Sequence, residues 1–320
     1  MQTVEVPSNH FFKYGNVISF TSEAIGESVV AKLFSKTNWL IKERFTVFQG
    51  IVTGYNPAFL PSANQIRDQH LEDTLLYPVL MGRDFEKWAI RSSERRIIYV
   101  DRNTQIEKFP NTLNFLSNYR KNLEDSRSAA ERTSDWYCLH RPRVKQELDR
   151  VPKIIVQRTR NPRLATRIVA TMDEYGIYGM ESVLFLLPRD SGSNPYFLLG
   201  ILNSKVLNHA FSTKFLNVGI KAEYLKDIPV PNASGETEAC LERLVRSILA
   251  IKRTDLSADV SALEGEIDAL VYKLYGLTAE EIDFLERTGS SEPNIEAEAD
   301  TEVEEDAAVS DSGADEDAFN

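Results

Sequence analysis

Apolar side chains recur along the chain at two different spacings, which predict different secondary structures. Short runs rich in Ile, Val, Tyr and Phe and bounded by Gly, Pro or Asn predict strands, and they lie at 45–48, 50–54, 97–100, 154–156, 168–171 and 183–187. Spacings of three and four residues predict helices after Ser22, over 197–211, around 241–251 and 263–274, and over 278–285. Since the helices do not alternate with the strands, we predict a mixed α+β fold and not a regular βαβ series.

Two local signals delimit the last helices. Gly276 directly follows the 263–274 pattern, at a position where a left-handed residue commonly ends a helix. Thr278 and Glu281 have the spacing of a capping box, which predicts that another helix begins there. We therefore predict four segments: an N-terminal linker and helix over 1–44, an irregular β-rich domain with inserted helices over 45–235, a helical hairpin over 236–288 and a tail over 289–320.

Charge is distributed unevenly along the sequence. The net charge of −11 arises from residues 290–320, which contain twelve acidic residues and no Lys or Arg. By contrast, residues 83–167 contain 20 basic against 11 acidic residues, and 141–167 contain nine against two. Because the tail has almost no large apolar side chains, we predict that it is disordered. It either keeps the protein soluble or mimics nucleic-acid charge and weakens DNA binding by competing for the basic segment.

Several classes of protein are excluded by what the sequence lacks. The two cysteines, Cys138 and Cys240, form no CxxC pair, which excludes a disulfide scaffold and a cysteine zinc site and favours a reduced cytoplasmic setting. No apolar stretch is long enough to span a membrane, and the N-terminus has no signal-peptide pattern. No GxGxxG, GxxxxGK[ST], HExxH or GxSxG motif is present. We predict no catalytic residue, metal ligand or cofactor in this chain.

One tetrapeptide leaves an enzymatic alternative open. The sequence Asn56-Pro-Ala-Phe59 resembles the Asn-Pro-Pro-Tyr/Phe loop with which adenine methyltransferases hold the target base, although its third residue is Ala. No strand ending in a Gly-rich loop precedes it to bind S-adenosylmethionine. The alternative is a divergent adenine-specific DNA methyltransferase that uses Asn56–Phe59 itself.

The strand predicted at 154–156 runs directly into a segment dense in Arg, Gln, Asn and Thr. Arg pairs with guanine edges and Asn or Gln with adenine edges, and acids are scarce nearby. We therefore predict nucleic-acid contacts from 141–167, with Lys153 and Arg167 on phosphates, and second-rank contacts from Arg83 and the Gly50–Phe59 turn. The full predicted set is Arg141, Arg143, Lys153, Gln157, Arg158, Arg160, Asn161, Arg163, Arg167, Arg83 and Asn56. A further alternative is an RNA-binding module in which Trp136 and Tyr137 stack on bases.

Five groups of residues, in order along the chain, resemble the TaqI-like C-terminal specificity domain of type IIG restriction-modification enzymes and related adenine methyltransferases. They are FQGIVTGYNPAF at 48–59, LYPVLMGRDF at 76–85 with Trp88, Trp136-Tyr137 with Arg141-Pro142 and PKII at 152–155, LLGILNSK at 198–205 with IPV at 228–230, and IDALVYKLYGLTAEEI at 267–282. Together they cover most of the chain from about 45 to 286.

The resemblance implies a role in DNA target recognition. In that family a methyltransferase domain carrying the cofactor loop precedes the specificity domain, and residues 1–44 resemble only the linker between the two. We therefore expect this chain to recognise double-stranded DNA beside a separate methyltransferase or restriction subunit encoded nearby. S-adenosylmethionine is expected on that partner. The family's methyl-transfer residues have no counterpart here.

Overall fold

The computed structural model describes residues 23–35, 39–91, 94–127, 135–160 and 166–289. The predicted acidic tail over 290–320 and Ser22, expected to begin the first helix, lie outside the described residues, so both predictions stay as predictions. Within the described part of the chain, helices and small sheets are mixed without regular alternation, which confirms the α+β prediction.

The structure contains the following elements in chain order. The helices are α1 Glu23–Ser35, α2 Ile41–Arg44, α3 Asn56–Phe59, α4 Ala63–Asp68, α5 Pro110–Ser117, α6 Arg120–Asp125, α7 Lys145–Asp149, α8 Pro195–Leu202, α9 Lys205–Lys214, α10 Ala222–Lys226, α11 Gly235–Thr254, α12 Ser261–Tyr275 and α13 Ala279–Gly289. The strands are β1 Trp39–Leu40, β2 Phe45–Gln49, β3 Leu76–Leu80, β4 Phe85–Glu86, β5 Ala89–Ile90, β6 Arg96–Ile98, β7 Lys153–Gln157, β8 Ala170–Asp173, β9 Tyr178–Gly179, β10 Val183–Pro188 and β11 Pro229–Val230.

The described residues form two compact units. The larger, here called the sheet unit, comprises the described residues of 1–50, 80–93 and 146–291. The smaller, called the second unit, comprises those of 51–79 and 94–145. Helices α11 to α13 thus share a unit with strands β7, β8 and β10. The basic segment 141–167 is divided between the units, because 141–145 belongs to one and 146–167 to the other.

The sheet unit is built on an antiparallel sheet with the strand order β2-β10-β7-β8. Strand β10 lies in the interior of the sheet and is buried along almost its whole length, which explains its unbroken apolar sequence VLFLLP. At the edge, β8 pairs with β7 in a register that places Lys153 opposite Asp173. The sequence placed this last strand at 168–171, two residues too early.

Helix α8 is buried at every position and packs between the sheet and α11. A Cβ at Gly200 would lie 3.1 Å from side-chain atoms of Leu241 and Val245, which is closer than ordinary van der Waals contact, so glycine favours this close packing. The burial of this helix makes its residues part of the core. The predicted single helix over 197–211 is instead two helices, because Ser204 accepts a hydrogen bond from the Leu207 N–H and caps α9.

Two asparagines of this region bond to the outer edge of β8. The Asn203 side chain donates to the Ala170 carbonyl at 3.0 Å and accepts from the Ala170 N–H at 3.2 Å. The Asn208 side chain accepts from the Ile168 N–H at 2.7 Å. The Trp88 N–H also donates to the Ala170 carbonyl, at 3.1 Å. The backbone groups of Ala170 that point away from β7 are therefore bonded.

The ends of the last helices follow the sequence signals. Gly276 ends α12 with φ 67°, in the left-handed region. The Thr278 N–H donates to the Glu281 carboxylate at 2.7 Å, and the Glu281 N–H donates to the Thr278 hydroxyl at 3.3 Å, which confirms the capping box. Glu281 also accepts from Ser28 and Lys32, and these contacts attach α1 to the start of α13.

The second unit has a smaller core. Strands β3 and β6 pair antiparallel, and the carboxylate of Glu72 accepts hydrogen bonds from the Asn111 and Thr112 N–H groups at the start of α5. The strand predicted over 50–54 is reduced to an isolated bridge between Val52 and Arg141. The chain leaves the extended conformation at Gly54, where φ is 85°, and α3 follows almost at once.

Candidate nucleic-acid interface

The segment that follows β7 is fixed through its main chain. The Ile220 N–H donates to the Arg158 carbonyl at 2.6 Å, and the Arg160 N–H donates to the Val218 carbonyl at 3.2 Å. Thr159 and Gly219 form an antiparallel bridge between these two bonds. Residues 158–160 and 218–220 therefore lie side by side as a short extension of strand pairing, which sets the direction in which the chain leaves the sheet.

Two arginines bridge the ends of the loop that begins at this point. The Arg160 guanidinium donates from Nε to the Thr166 carbonyl and from Nη1 to the side-chain oxygen of Gln157. Arg167 donates from Nη1 to the Arg160 carbonyl and from Nη2 to the Asn217 carbonyl, both at 2.6 Å. The loop therefore has a fixed base. Its middle, 161–165, lies outside the described residues, and with it the predicted contacts Asn161 and Arg163.

The structure corrects the predicted role of Lys153. Its side chain is completely buried, and Nζ lies 2.7 Å from the Asp173 carboxylate and donates to the Leu148 carbonyl at 2.7 Å and the Arg150 carbonyl at 3.3 Å. Burial lowers the pKa of the Lys153 ammonium, while Asp173 acts in the opposite direction. A side chain with its donors engaged inside the protein cannot reach a phosphate, so Lys153 is a structural residue.

Arg167 needs the same correction. It is fully buried, and burial lowers the pKa of its guanidinium. Its two hydrogen bonds to carbonyls make it a support for the loop base and not a phosphate contact. Gln157 is similar, since its side-chain nitrogen donates to the Phe85 carbonyl at 2.8 Å and its oxygen accepts from Arg160. Its amide fits a role in positioning Arg160 better than one in reading a base.

The remaining predicted residues are at least partly accessible. Arg83, Asn56 and Arg141 are exposed, and Arg158, Arg160 and Arg143 are half-buried. Arg158 directly precedes the fixed loop base, and both its main-chain groups are bonded, the N–H to the Ser182 carbonyl at 2.9 Å. Arg143 has φ 64°, and its carbonyl accepts from the Tyr99 hydroxyl at 2.9 Å. Arg158 is thus the described residue of 153–167 that best fits a contact with a ligand.

The geometry supports neither the methyltransferase alternative nor the RNA-binding alternative. Phe59 is fully buried, so it cannot stack on a flipped base as the aromatic residue of a methyltransferase loop does, and the Asn56 side chain accepts from the Thr53 hydroxyl at 2.7 Å. Trp136 is only 9% exposed and lies under Arg120, which leaves little surface for stacking on RNA.

The described residues also show no feature typical of redox or metal chemistry. Burial raises the pKa of the Cys138 thiol to about 12, which makes it a poor nucleophile. Across the described ranges, no group of three or more His, Cys, Asp and Glu side chains is placed to hold a metal ion. In the same part of the chain, no helix combines the length and apolar character needed to cross a membrane.

Sequence reasoning passed over the segment 214–221, KFLNVGIK, which contains the partners of the loop base. Two of its large apolar side chains, Leu216 and Val218, are exposed. Two lysines that flank apolar residues without an acid between them are the signal that could have drawn attention to it.

Comparison with known families identifies the class of domain. Residues 77–230 match the sequence model of the TaqI-like C-terminal specificity domain. This segment contains β7, the loop base and the partner segment 214–221. Residues 77–230 are therefore similar to the TaqI-like C-terminal specificity domain, as the resemblance in sequence implied.

One solved structure shows a similar fold. The structure of MmeI, a type IIL restriction-modification enzyme in complex with DNA, matches with a TM-score of 0.59 and 12% identity, over 79% of this chain and 36% of that one. The type IIG restriction endonuclease BpuSI matches with a TM-score of 0.48 and 14% identity, over 80% of this chain and 33% of that one. The chain thus spans about a third of the length of these two structures. A search of curated proteins finds no match.

Proposed function

We propose that this chain recognises the DNA target sequence of a restriction-modification system and directs adenine-N6 methylation, cleavage or both by a separate catalytic module. The observation that carries the proposal is that the specificity-domain match over 77–230 includes a loop rich in Arg and Asn, set on a fixed base at the end of β7. Loops of this kind on a rigid scaffold lose less entropy on binding.

Within this proposal the predicted residues divide by role. Arg158, Asn161 and Arg163 contact bases or phosphates directly, while Arg160, Arg167 and Gln157 hold the loop in position. Arg141, Arg143, Arg83 and Asn56 remain proposed contacts elsewhere on the two units. Lys153 is removed from the set, because its ammonium is engaged with Asp173.

The methyl-transfer step belongs to the catalytic module, where S-adenosylmethionine binds. The chain itself orients the DNA, because it fixes which base pairs face the catalytic module. A target adenine among these base pairs would be flipped out of the duplex into that module. The expected location is cytoplasmic, where such systems meet DNA. Transfer of labelled methyl groups from S-adenosylmethionine to DNA by the purified chain alone would contradict this division of labour.

The proposal is tested with the full 320-residue chain by selecting binding sites from random duplexes. Affinities are then measured on the selected site and on a scrambled duplex at one fixed salt concentration. We expect Arg158→Ala to cost about 1–3 kcal/mol on the selected site and much less on the scrambled one. Arg243→Ala, an exposed arginine on α11 of the same unit, serves as the matched control and should leave both affinities unchanged.

Two results would count against the proposal, and a third would change the role of Arg158. Absence of duplex binding by the wild-type chain at moderate salt would remove its basis. Preference for single-stranded RNA in competition would favour the RNA-binding alternative. Equal losses on both duplexes for Arg158→Ala would limit that residue to neutralising phosphate, and base reading would have to come from Asn161 and Arg163.

A further inference from the structure

The connection between α9 and α10 carries an unusual pair of side chains. Leu216 is 59% exposed and Val218 is 53% exposed, although both are large and apolar and only one residue separates them. Exposed apolar surface of this kind is available for contact with a partner.

The exposure is a consequence of how the segment is held. Phe215 points inward and stacks on Tyr224 with ring centroids 4.3 Å apart, and Ile220 is fully buried. The Asn217 side chain donates to the Tyr224 hydroxyl at 2.7 Å. With these residues anchored and the main chain paired to 158–160, Leu216 and Val218 are held facing solvent by the fold.

The segment that carries the two side chains is itself positively charged. Lys214 and Lys221 are the first and last residues of the segment, no acid occurs between them, and none occurs over 153–167. Both lysines are exposed, and the Lys214 ammonium lies 3.4 Å from the ring centre of Phe34. A cationic surface with apolar side chains at its centre is complementary to phosphates around a base edge, where apolar residues contact the thymine methyl group.

The segment is also joined directly to the proposed DNA-contacting loop. Arg167 bonds to the carbonyls of both Arg160 and Asn217, so one buried guanidinium fixes the two segments against each other. A ligand that contacts Arg158 therefore meets 216–218 in a defined position. This continuity favours DNA over an unrelated protein partner.

We infer that 214–221 is a second DNA-contacting segment, in which Leu216 and Val218 contact base edges and Lys221 contacts phosphate. The inference rests on the proposed function and deepens it by naming specificity-determining residues. It predicts that the apolar pair and the lysine affect DNA binding in different ways.

The test uses the full chain with Leu216→Ala/Val218→Ala, with Lys221→Ala, and with Leu256→Ala as a matched control, since Leu256 is a leucine 40% exposed after α11. For the double variant we expect an affinity loss of about tenfold on the selected site. Its affinity for scrambled DNA and its salt dependence should be unchanged. Lys221→Ala should weaken both duplexes alike and reduce the salt slope by about one. Leu256→Ala should behave as the wild type.

A repeat of the site selection completes the experiment. The double variant is expected to lose preference at one or two base pairs and to keep it at the others. If the wild type discriminates between sites and the double variant selects the same site with the same affinity, the inference fails while the proposed function stands. If the wild type does not bind DNA, both fail. Circular dichroism of each variant verifies that it is folded.

Discussion

The two ends of β7 differ in whether the positively charged side chain is buried or accessible to solvent. At its first residue, Lys153 is buried against Asp173 at 2.7 Å. Just beyond its last residue, Arg158 is half-exposed at the start of a loop with a fixed base. Both residues belong to the same acid-poor stretch of sequence. The nearest acid along the chain is therefore a poor guide, because Lys153 finds its partner through the antiparallel register of β7 and β8.

The largest loss of stability is expected when the buried ion pair between Lys153 and Asp173 is broken. Lys153→Met leaves the Asp173 carboxylate buried without its cation, and removing one partner of a buried pair costs about 3–5 kcal/mol. Chemical denaturation of the full chain measures this loss. Arg158→Met, at the other end of the strand, is the control and should change the free energy of unfolding by less than about 1 kcal/mol. Equal free energies of unfolding for the two variants would contradict the proposed difference between the two ends of β7.

A second buried carboxylate, that of Asp268, can be compared with the carboxylate of Asp173. Asp268 is buried, but its nearest ammonium, on Lys205, is 3.8 Å away, and the Lys205 N–H is its close partner at 2.8 Å. Burial is the largest cause that raises the pKa of Asp268 to about 6, and the nearby Glu286 adds to it, while Lys205 and Lys87 oppose it. The folded state therefore holds this proton more tightly than the unfolded state does.

It follows that the stability contributed by Asp268 falls as pH rises from about 4 to about 6. Asp268→Asn should remove this dependence, so that its stability relative to the wild type increases by about 2 kcal/mol between pH 4 and pH 7. Denaturation at a series of pH values measures the difference. Asp125→Asn, at an exposed position on α6, is the control. Parallel pH profiles for the wild type and Asp268→Asn would show that the buried carboxyl titrates normally.

The smallest effect on stability is expected at the loop base. Arg167→Met removes two hydrogen bonds to partly buried carbonyls, at a cost of about 1–2 kcal/mol. Arg167→Lys keeps the charge and can satisfy only part of this pairing, so its denaturation midpoint should lie between those of the wild type and Arg167→Met. A midpoint for Arg167→Met equal to that of the wild type would show that the loop base does not depend on this residue.

Local signals in the sequence predicted local structure well. The Gly276 terminus and the Thr278–Glu281 capping box depend on residues within one turn of each other, and both are confirmed. The apolar runs at 45–48, 154–156 and 183–187 lie in β2, β7 and β10. The resemblance to the specificity domain also held, because it rests on several motifs in a fixed order.

The failures involve partners far apart in sequence. Lys153 and Arg167 looked like surface cations because Asp173 and the Asn217 carbonyl come into contact with them only in the folded chain. The exposure of Leu216 and Val218 was likewise not predicted, since nothing local shows that Phe215 and Ile220 point inward in their place. The prediction of 50–54 as a strand failed where Gly54 turns the chain.

The asparagine contacts along β8 have a consequence for how the protein behaves in a crowded solution. An edge strand with unbonded backbone groups can pair with a strand of another molecule and start aggregation. Here Asn203 and Asn208 act as a substitute for a further strand, because their amides bond to Ala170 and Ile168 as a neighbouring backbone would. In the folded protein, the junction between α8 and α9 thus blocks this part of the sheet edge from pairing with a strand of another molecule.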